Sequence, residues 1–193
     1  MAGRQAKVLS ATQAKAVLAY LSTTRNPHRD TVMFLLSVKA GLRAKEVAML
    51  TWSMVMDANG DIADVLALED RAAKMKSGRL VPLNRDLRVA LVELHRLRTP
   101  RPEDPVVYSE RGRSMSAGSV VRWFRDLYTR LGFTGCSSHS GRRTFITHAA
   151  RKASSVGGSL RDVMELAGHR SLQTTSRYIE ADTEAKRRLV DLV

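Results

Sequence analysis

Cysteine is almost absent: Cys136 stands alone in 193 residues, which excludes an internal disulfide framework. Nothing else in the sequence organises a base around it, so it does not read as a nucleophile. Aromatic residues make up 5% of the chain, too few for the stacking platforms on which single-strand binders lay successive bases. Long apolar runs are missing too. The stretches at residues 32–38 and 87–97 are short or interrupted by charge, well below the roughly 20 apolar residues a membrane span requires. Residues 1–7 lead straight into a polar, helix-starting segment with no signal-peptide pattern. The protein is therefore expected in the cytoplasm, without a membrane partner. Acidic residues are scarce as well: there are 19, against 32 lysines and arginines.

That imbalance is the first positive signal. A net charge of +13 sets up a field that attracts polyanions, and nucleic acid is the first to consider. With so few aromatics, a binder that reads the backbone of duplex DNA fits better than one that stacks on bases. Charge by itself says nothing about chemistry. The length allows one compact domain, and 44% hydrophobic residues suffice for a real core.

Periodicity makes the chain mainly helical. Ser10 and Gln13 have capping-box spacing and open a helix at residues 11–22. Val32, Leu35 and Leu36 share one face of a second helix at residues 30–40, which Gly41 stops. A third begins at Arg43. Between residues 57 and 83 the pattern changes: Asn59-Gly60 marks a turn, residues 65–68 and 80–83 are short apolar runs, and Pro82 suits an edge strand. This reads as a small antiparallel sheet. Asn84 caps a helix with Leu87, Ala90, Leu91 and Leu94 inward, and Pro100, Pro102 and Pro105 punctuate a loop. Val120, Phe124, Leu127 and Leu131 mark the next inward face, and further helices are expected at residues 139–152, 159–167, 172–179 and 183–192.

Four fragments carry chemistry. Arg43 stands three residues before Glu46, which can hold its guanidinium from the same helix face. His139 and Arg142 sit at i and i+3, project to one side of a helix and can grip one phosphate, while Arg143 is expected to point elsewhere. His169 closes Leu166-Ala-Gly-His169, and Tyr178 follows nine residues later, with Ser171 able to cap the intervening helix. Taken singly, the Arg43–Glu46 pair is better explained as a surface ion pair, and His169 and Tyr178 as packed side chains with satisfied polar tips, while His139 with Arg142 is more informative.

Taken together, the fragments resemble the tyrosine recombinase or phage integrase family: an arginine in Gly-Leu-Arg-x-x-Glu, a lysine on a β-hairpin, His-x-x-Arg, Gly-His, and a tyrosine nine residues on. Order and spacing both match, from roughly residue 10 to 193. The resemblance implies an α+β, mainly helical catalytic domain with a small three-stranded antiparallel sheet. It places the family's two arginines on Arg43 and Arg142, its histidines on His139 and His169, its supporting acid on Glu46 and its nucleophile on Tyr178. Counting back eight residues from Pro82 puts the hairpin lysine on Lys74, with Lys76 as its rival. Where the family often has leucine just before the second arginine, this chain has Gly141, which bears on helix rigidity and not on chemistry. Family members usually carry a DNA-clamping domain ahead of the catalytic one. Here the first catalytic helix begins at about residue 11, so residues 1–193 are read as a single catalytic domain. His28, His95 and His148 match no motif position and are read as surface or packing residues.

The resemblance also implies a reaction: cleavage and rejoining of duplex DNA through a covalent 3′-phosphotyrosine, by a homo-tetramer on the DNA, with no metal, cofactor or nucleotide. A tyrosine hydroxyl ionises near pH 10, so forming phenolate at neutral pH costs roughly 4 kcal/mol, which surrounding cations and a base must offset. Two planar, permanently charged guanidinium groups suit the charge that builds on the non-bridging oxygens of the phosphoryl transition state. In the family, the counterpart of His139 manages the tyrosine proton, that of His169 donates to the phosphate, and that of Lys74 protonates the departing 5′-oxygen. Two other readings stay open: a type IB topoisomerase, which would use the same residues, and a catalytically silent DNA-binding regulator. The regulator would be favoured had Tyr178 or Arg142 been missing.

Overall fold

The computed structural model describes residues 6–72, 78–178 and 190–191. The first helix, α1 (Ala11–Leu21), opens with the expected capping box: Ser10 Oγ accepts from the Gln13 amide at 3.1 Å, and Gln13 Oε1 accepts from the Ser10 amide at 3.0 Å. Helix α2 (Pro27–Val38) begins three residues earlier than its apolar pattern indicates, because Pro27 sits in the first turn, where a missing N–H costs nothing. It is the central helix. Val32, Met33, Phe34, Leu35 and Leu36 are all buried, and such all-round burial requires cover on several sides. The cover comes from α1, from α4 (Arg85–Arg98) and from α6 (Ser140–Lys152).

The contact between α2 and α6 explains Gly141. A Cβ built there would lie 2.4 Å from Ser37 Oγ and 2.9 Å from Ser37 Cβ. The glycine therefore permits close approach of two helices, a packing reason that sequence alone could not show. Gly41, at φ 66°, ends the α2 region and turns the chain into α3 (Ala44–Met49), which packs against α5 (Ala117–Arg130). In α5 the expected residues Val120, Phe124 and Leu127 point inward, and in α4 Leu87, Leu91 and Leu94 do so.

The sheet described has two strands, β1 (Val65–Leu68) and β2 (Arg79–Pro82), antiparallel with Val65 opposite Pro82 and Leu68 opposite Arg79. The expected third strand is not among the described residues. Just before β1 a single bridge pairs Met56 with Ile62. In the turn between them the Asp57 carboxylate accepts from the Asn59 and Asp61 amides, and Gly60 takes φ 89°.

The last described helices, α7 (Leu160–Ala167) and α8 (Leu172–Ser176), follow α6. Ser159 and Asp162 form a capping box at the start of α7, and Ser171 caps α8 as expected. The apolar residues divide into a large core and a satellite of Ile146, Val163 and Ala167, against which Phe145 and Tyr178 pack. The helix expected at residues 183–192 lies outside the described residues apart from Val190 and Asp191. No helix among the described residues is long and apolar enough to cross a membrane.

Candidate active site

Glu46 is the electrostatic centre of the region. It lies in the first turn of α3 and is fully buried, at 0% exposure. Its carboxylate accepts from the Arg43 amide at 2.8 Å and from Arg43 Nη1 at 2.7 Å, as the i, i+3 spacing led one to expect. It also accepts from Arg79 Nη1 at 3.0 Å and Nη2 at 3.1 Å. Burial alone would raise its pKa. The hydrogen bonds and charge of Arg79, followed by those of Arg43, outweigh burial and hold the carboxyl below its ordinary 4.5. Arg79 belongs to none of the motif fragments, yet the sequence carries a signal for it. On β2 it alternates with Leu80 and so shares the inward face of Val81, and an arginine pointing inward must find a counter-charge.

The carbonyl end of α7 gathers three arginines. Arg79 Nε donates to the Leu166 carbonyl at 2.8 Å, Arg142 Nη2 to Ala167 at 2.6 Å, and Arg43 Nη2 to Gly168 at 3.3 Å. The last carbonyls of a helix lack partners within it and carry the negative end of its dipole, so cations satisfy them twice over. Gly168 closes α7 at φ 61°, and a Cβ there would lie 2.9 Å from Arg79 Nη1. Both the backbone angle and the guanidinium therefore require glycine. Arg142, 3% exposed, also donates from Nη1 to the Gly41 carbonyl at 2.5 Å. Burial first, and the charge of Arg43 second, lower its pKa to about 10, which leaves it a cation at neutral pH.

His169 follows directly. Its Nδ1 lies 2.9 Å from Thr175 Oγ1, and its ring is stacked on Tyr178 with centroids 5.3 Å apart and planes 29° apart. Burial, then the charges of Arg142, Arg43 and Arg79, lower its pKa to about 4, so its imidazole is neutral at physiological pH. Two bonds fix the Tyr178 backbone: its amide donates to the Thr175 carbonyl at 3.0 Å, and Thr147 Oγ1 donates to its carbonyl at 2.9 Å.

His139 is the exposed residue just before α6, and with Arg143, Thr174, Arg177 and Tyr178 it lines a cleft of about 260 Å³. It thus shares a cleft with Tyr178, whereas Arg142 turns inward to the carbonyls of Gly41 and Ala167. Arg143 does not point elsewhere, as its position beside Arg142 had indicated. Its guanidinium carbon lies 6.0 Å from the centroid of the Tyr178 ring, at the reach of a cation–π contact. Lys74 and Lys76 lie outside the described residues. Of the remaining histidines, His95 packs edge-on against Trp52 with centroids 5.1 Å apart. Arg43, Glu46, Arg142, His169 and Tyr178 are thus drawn to one locality, with His139 on its open side.

Known proteins resemble this chain in sequence and in fold. The tyrosine recombinase XerC of Rhizobium meliloti is 30% identical over 159 residues, which cover 80% of this chain and 46% of the relative. XerC of Bradyrhizobium diazoefficiens is 31% identical over 160 residues, 81% of this chain and 47% of the relative. The chain therefore spans about half the length of these curated relatives. Among solved structures, that of XerA recombinase matches with TM-score 0.75 and 23% identity over 96% of this chain and 64% of that one. The XerH site-specific recombinase, solved bound to its palindromic difH substrate, matches with TM-score 0.76 and 18% identity over 98% of this chain and 53% of that one. At such identities the structures speak for the fold alone. The sequence profile of the phage integrase family, however, matches residues 7–185, and this chain belongs to that family, the tyrosine recombinases.

Proposed function

We propose that this chain is the catalytic domain of a site-specific recombinase, which cleaves and rejoins duplex DNA through a 3′-phosphotyrosine at Tyr178. The observation that carries the reading is the grouping of two buried or half-buried arginines, a neutral histidine and a tyrosine around the end of α7. The names of the relatives and the match to a recombinase bound to its DNA substrate agree with it, as does the charge of +13.

In this reading the Tyr178 oxygen attacks the scissile phosphorus, and the bond from phosphorus to the 5′-oxygen breaks. Lys74 supplies the proton that the leaving oxygen needs. Arg43 and Arg142 meet the charge on the non-bridging oxygens, and His169 donates a further hydrogen bond there. His139, in the cleft beside Tyr178, takes the phenolic proton. The phosphodiester energy is kept in the protein–DNA bond, so a 5′-hydroxyl reverses the step without ATP. A homo-tetramer on DNA completes strand exchange.

The test is chemical. Candidate attachment-site duplexes, labelled at each end and resolved on a denaturing gel, are expected to show protein joined to a 3′ end. Tyr178→Phe is expected to bind the same duplexes and form no adduct, since only the nucleophilic oxygen is lost. An adduct persisting in that variant refutes the assignment.

A further inference from the structure

A neutral imidazole has one hydrogen to give, and which nitrogen carries it decides what His169 can do. With the hydrogen on Nε2 the outer edge of the ring is a donor and can bond a phosphate oxygen. With the hydrogen on Nδ1 that edge presents a lone pair, which an anionic oxygen repels. The partner of Nδ1 therefore selects the function of Nε2.

That partner is Thr175. Its Oγ1 lies 2.9 Å from Nδ1, and the residue is 0% exposed, so water cannot satisfy its hydroxyl hydrogen. A hydroxyl in a helix can turn back to the carbonyl four residues earlier, and the neighbouring Ser176 does so, donating to the Leu172 carbonyl at 2.9 Å. The contact described for the Thr175 hydroxyl is the one to His169. A buried donor needs an acceptor, and Nδ1 is an acceptor only when the hydrogen is on Nε2. The His169 ring, burial-neutralised and stacked on Tyr178, is held by the same residue whose carbonyl receives the Tyr178 amide.

We propose that Thr175 is a positioning residue whose buried hydroxyl donates to His169 Nδ1, holding the imidazole in the Nε2–H form that can donate to a scissile phosphate. Its catalytic consequence rests on the recombinase reading; the tautomer assignment does not.

The two are separated by spectra and rates on the full chain. With ¹⁵N-labelled histidine, long-range proton–nitrogen spectra at neutral pH are expected to show His169 with a protonated Nε2 and a bare, hydrogen-bonded Nδ1. Thr175→Val keeps the shape and deletes the hydroxyl, and it is expected to shift the Nδ1 resonance toward that of an unbonded nitrogen. Thr175→Ser keeps the hydroxyl and is expected to keep the native resonance. Removing an oxyanion donor outright costs about 100- to 1,000-fold in kcat; loosening one is expected to cost roughly tenfold. Thr175→Val should therefore lower the rate of adduct formation by about that factor with KM for DNA unchanged, and Thr175→Ser should recover most of it.

A hydrogen on Nδ1 in the native chain overturns the proposal, and this measurement does not depend on whether any variant folds. So does an Nδ1 resonance that is the same in native and Thr175→Val protein. A shifted resonance with an unchanged rate overturns the catalytic role. If the spectra are as expected but the native chain forms no adduct on any duplex, the recombinase reading fails and the tautomer assignment stands.

Discussion

Replacing Glu46 with glutamine tests whether the arginine cluster needs its internal anion. Glutamine has the same shape, but one of its two polar atoms can only donate. Whichever way the amide is turned, two of the four hydrogen bonds that Glu46 accepts from Arg43 and Arg79 are replaced by donors facing donors. The negative charge is also lost, while Arg79 and Arg142 remain buried with side chains turned into the same region. Removing one partner of a buried ion pair costs about 3–5 kcal/mol, and for a domain of this size each kcal/mol lowers Tm by roughly 2–4 °C. Glu46→Gln is therefore expected to melt roughly 6–20 °C below the native protein in calorimetry at neutral pH. Sulfate, an anion able to sit among the guanidinium groups, should raise the Tm of the variant more than that of the native chain. The sign of the pH dependence follows from the lowered pKa. The stabilisation from Glu46 is complete above its ordinary value of 4.5 and is lost as pH falls below that through the folded-state value. The gap between the two proteins should accordingly narrow in acid. A Tm within about 3 °C of native, with no extra response to sulfate, would show that the carboxylate is dispensable as a counter-charge.

Gly141→Ala should destabilise the chain by about 1–3 kcal/mol, measured by urea unfolding, although alanine is the better helix former. Rotation can move Ser37 Oγ aside, but Ser37 Cβ at 2.9 Å moves only with its helix; a stabilised Gly141→Ala would contradict the close approach of α2 and α6. Adduct formation should proceed at the same rate in excess EDTA, because Arg43 and Arg142 supply the positive charge, and activity lost to EDTA and restored by magnesium would reject this. The His169 ring resonances should stay at their neutral positions from pH 8 down to about 5, given a pKa lowered to about 4. A midpoint above 6 would show that its neighbours do not suppress its charge.

Local rules made much of the fold readable from the sequence. The capping box of Ser10 and Gln13, the Asn84 cap and the inward faces of α4 and α5 depend on residues a few positions apart, and they appear as expected. The Arg43–Glu46 pair has the same origin. What was not readable depends on distant segments. Arg79 and Glu46 are 33 positions apart, and no periodicity connects a strand to a helix start. Gly141 looked like a weakness in α6 until Ser37 supplied the reason for it. The orientation of Arg143 is not legible either, because helical spacing fixes direction relative to Arg142 but not where α8 delivers Tyr178. Counting from Pro82 favours Lys74 over Lys76, two positions on, but both lie outside the described residues.

The arginines at the end of α7 are held by main-chain carbonyls of Leu166, Ala167 and Gly168, and this sets what kinds of sequence change the region can absorb. A carbonyl is common to every residue, so exchanging the side chain at position 166 leaves its acceptor in place. Only position 168, constrained by its backbone angle and by Arg79, demands a particular residue. Adding or removing one residue within α7 is another matter, since each step turns a helix by about 100° and would swing all three acceptors away from their cations together. The exposed positions of the segment should therefore tolerate exchange, while Val163 and Ala167 stay tied to the core and the length stays fixed, so that variation here takes the form of substitutions and not of gaps.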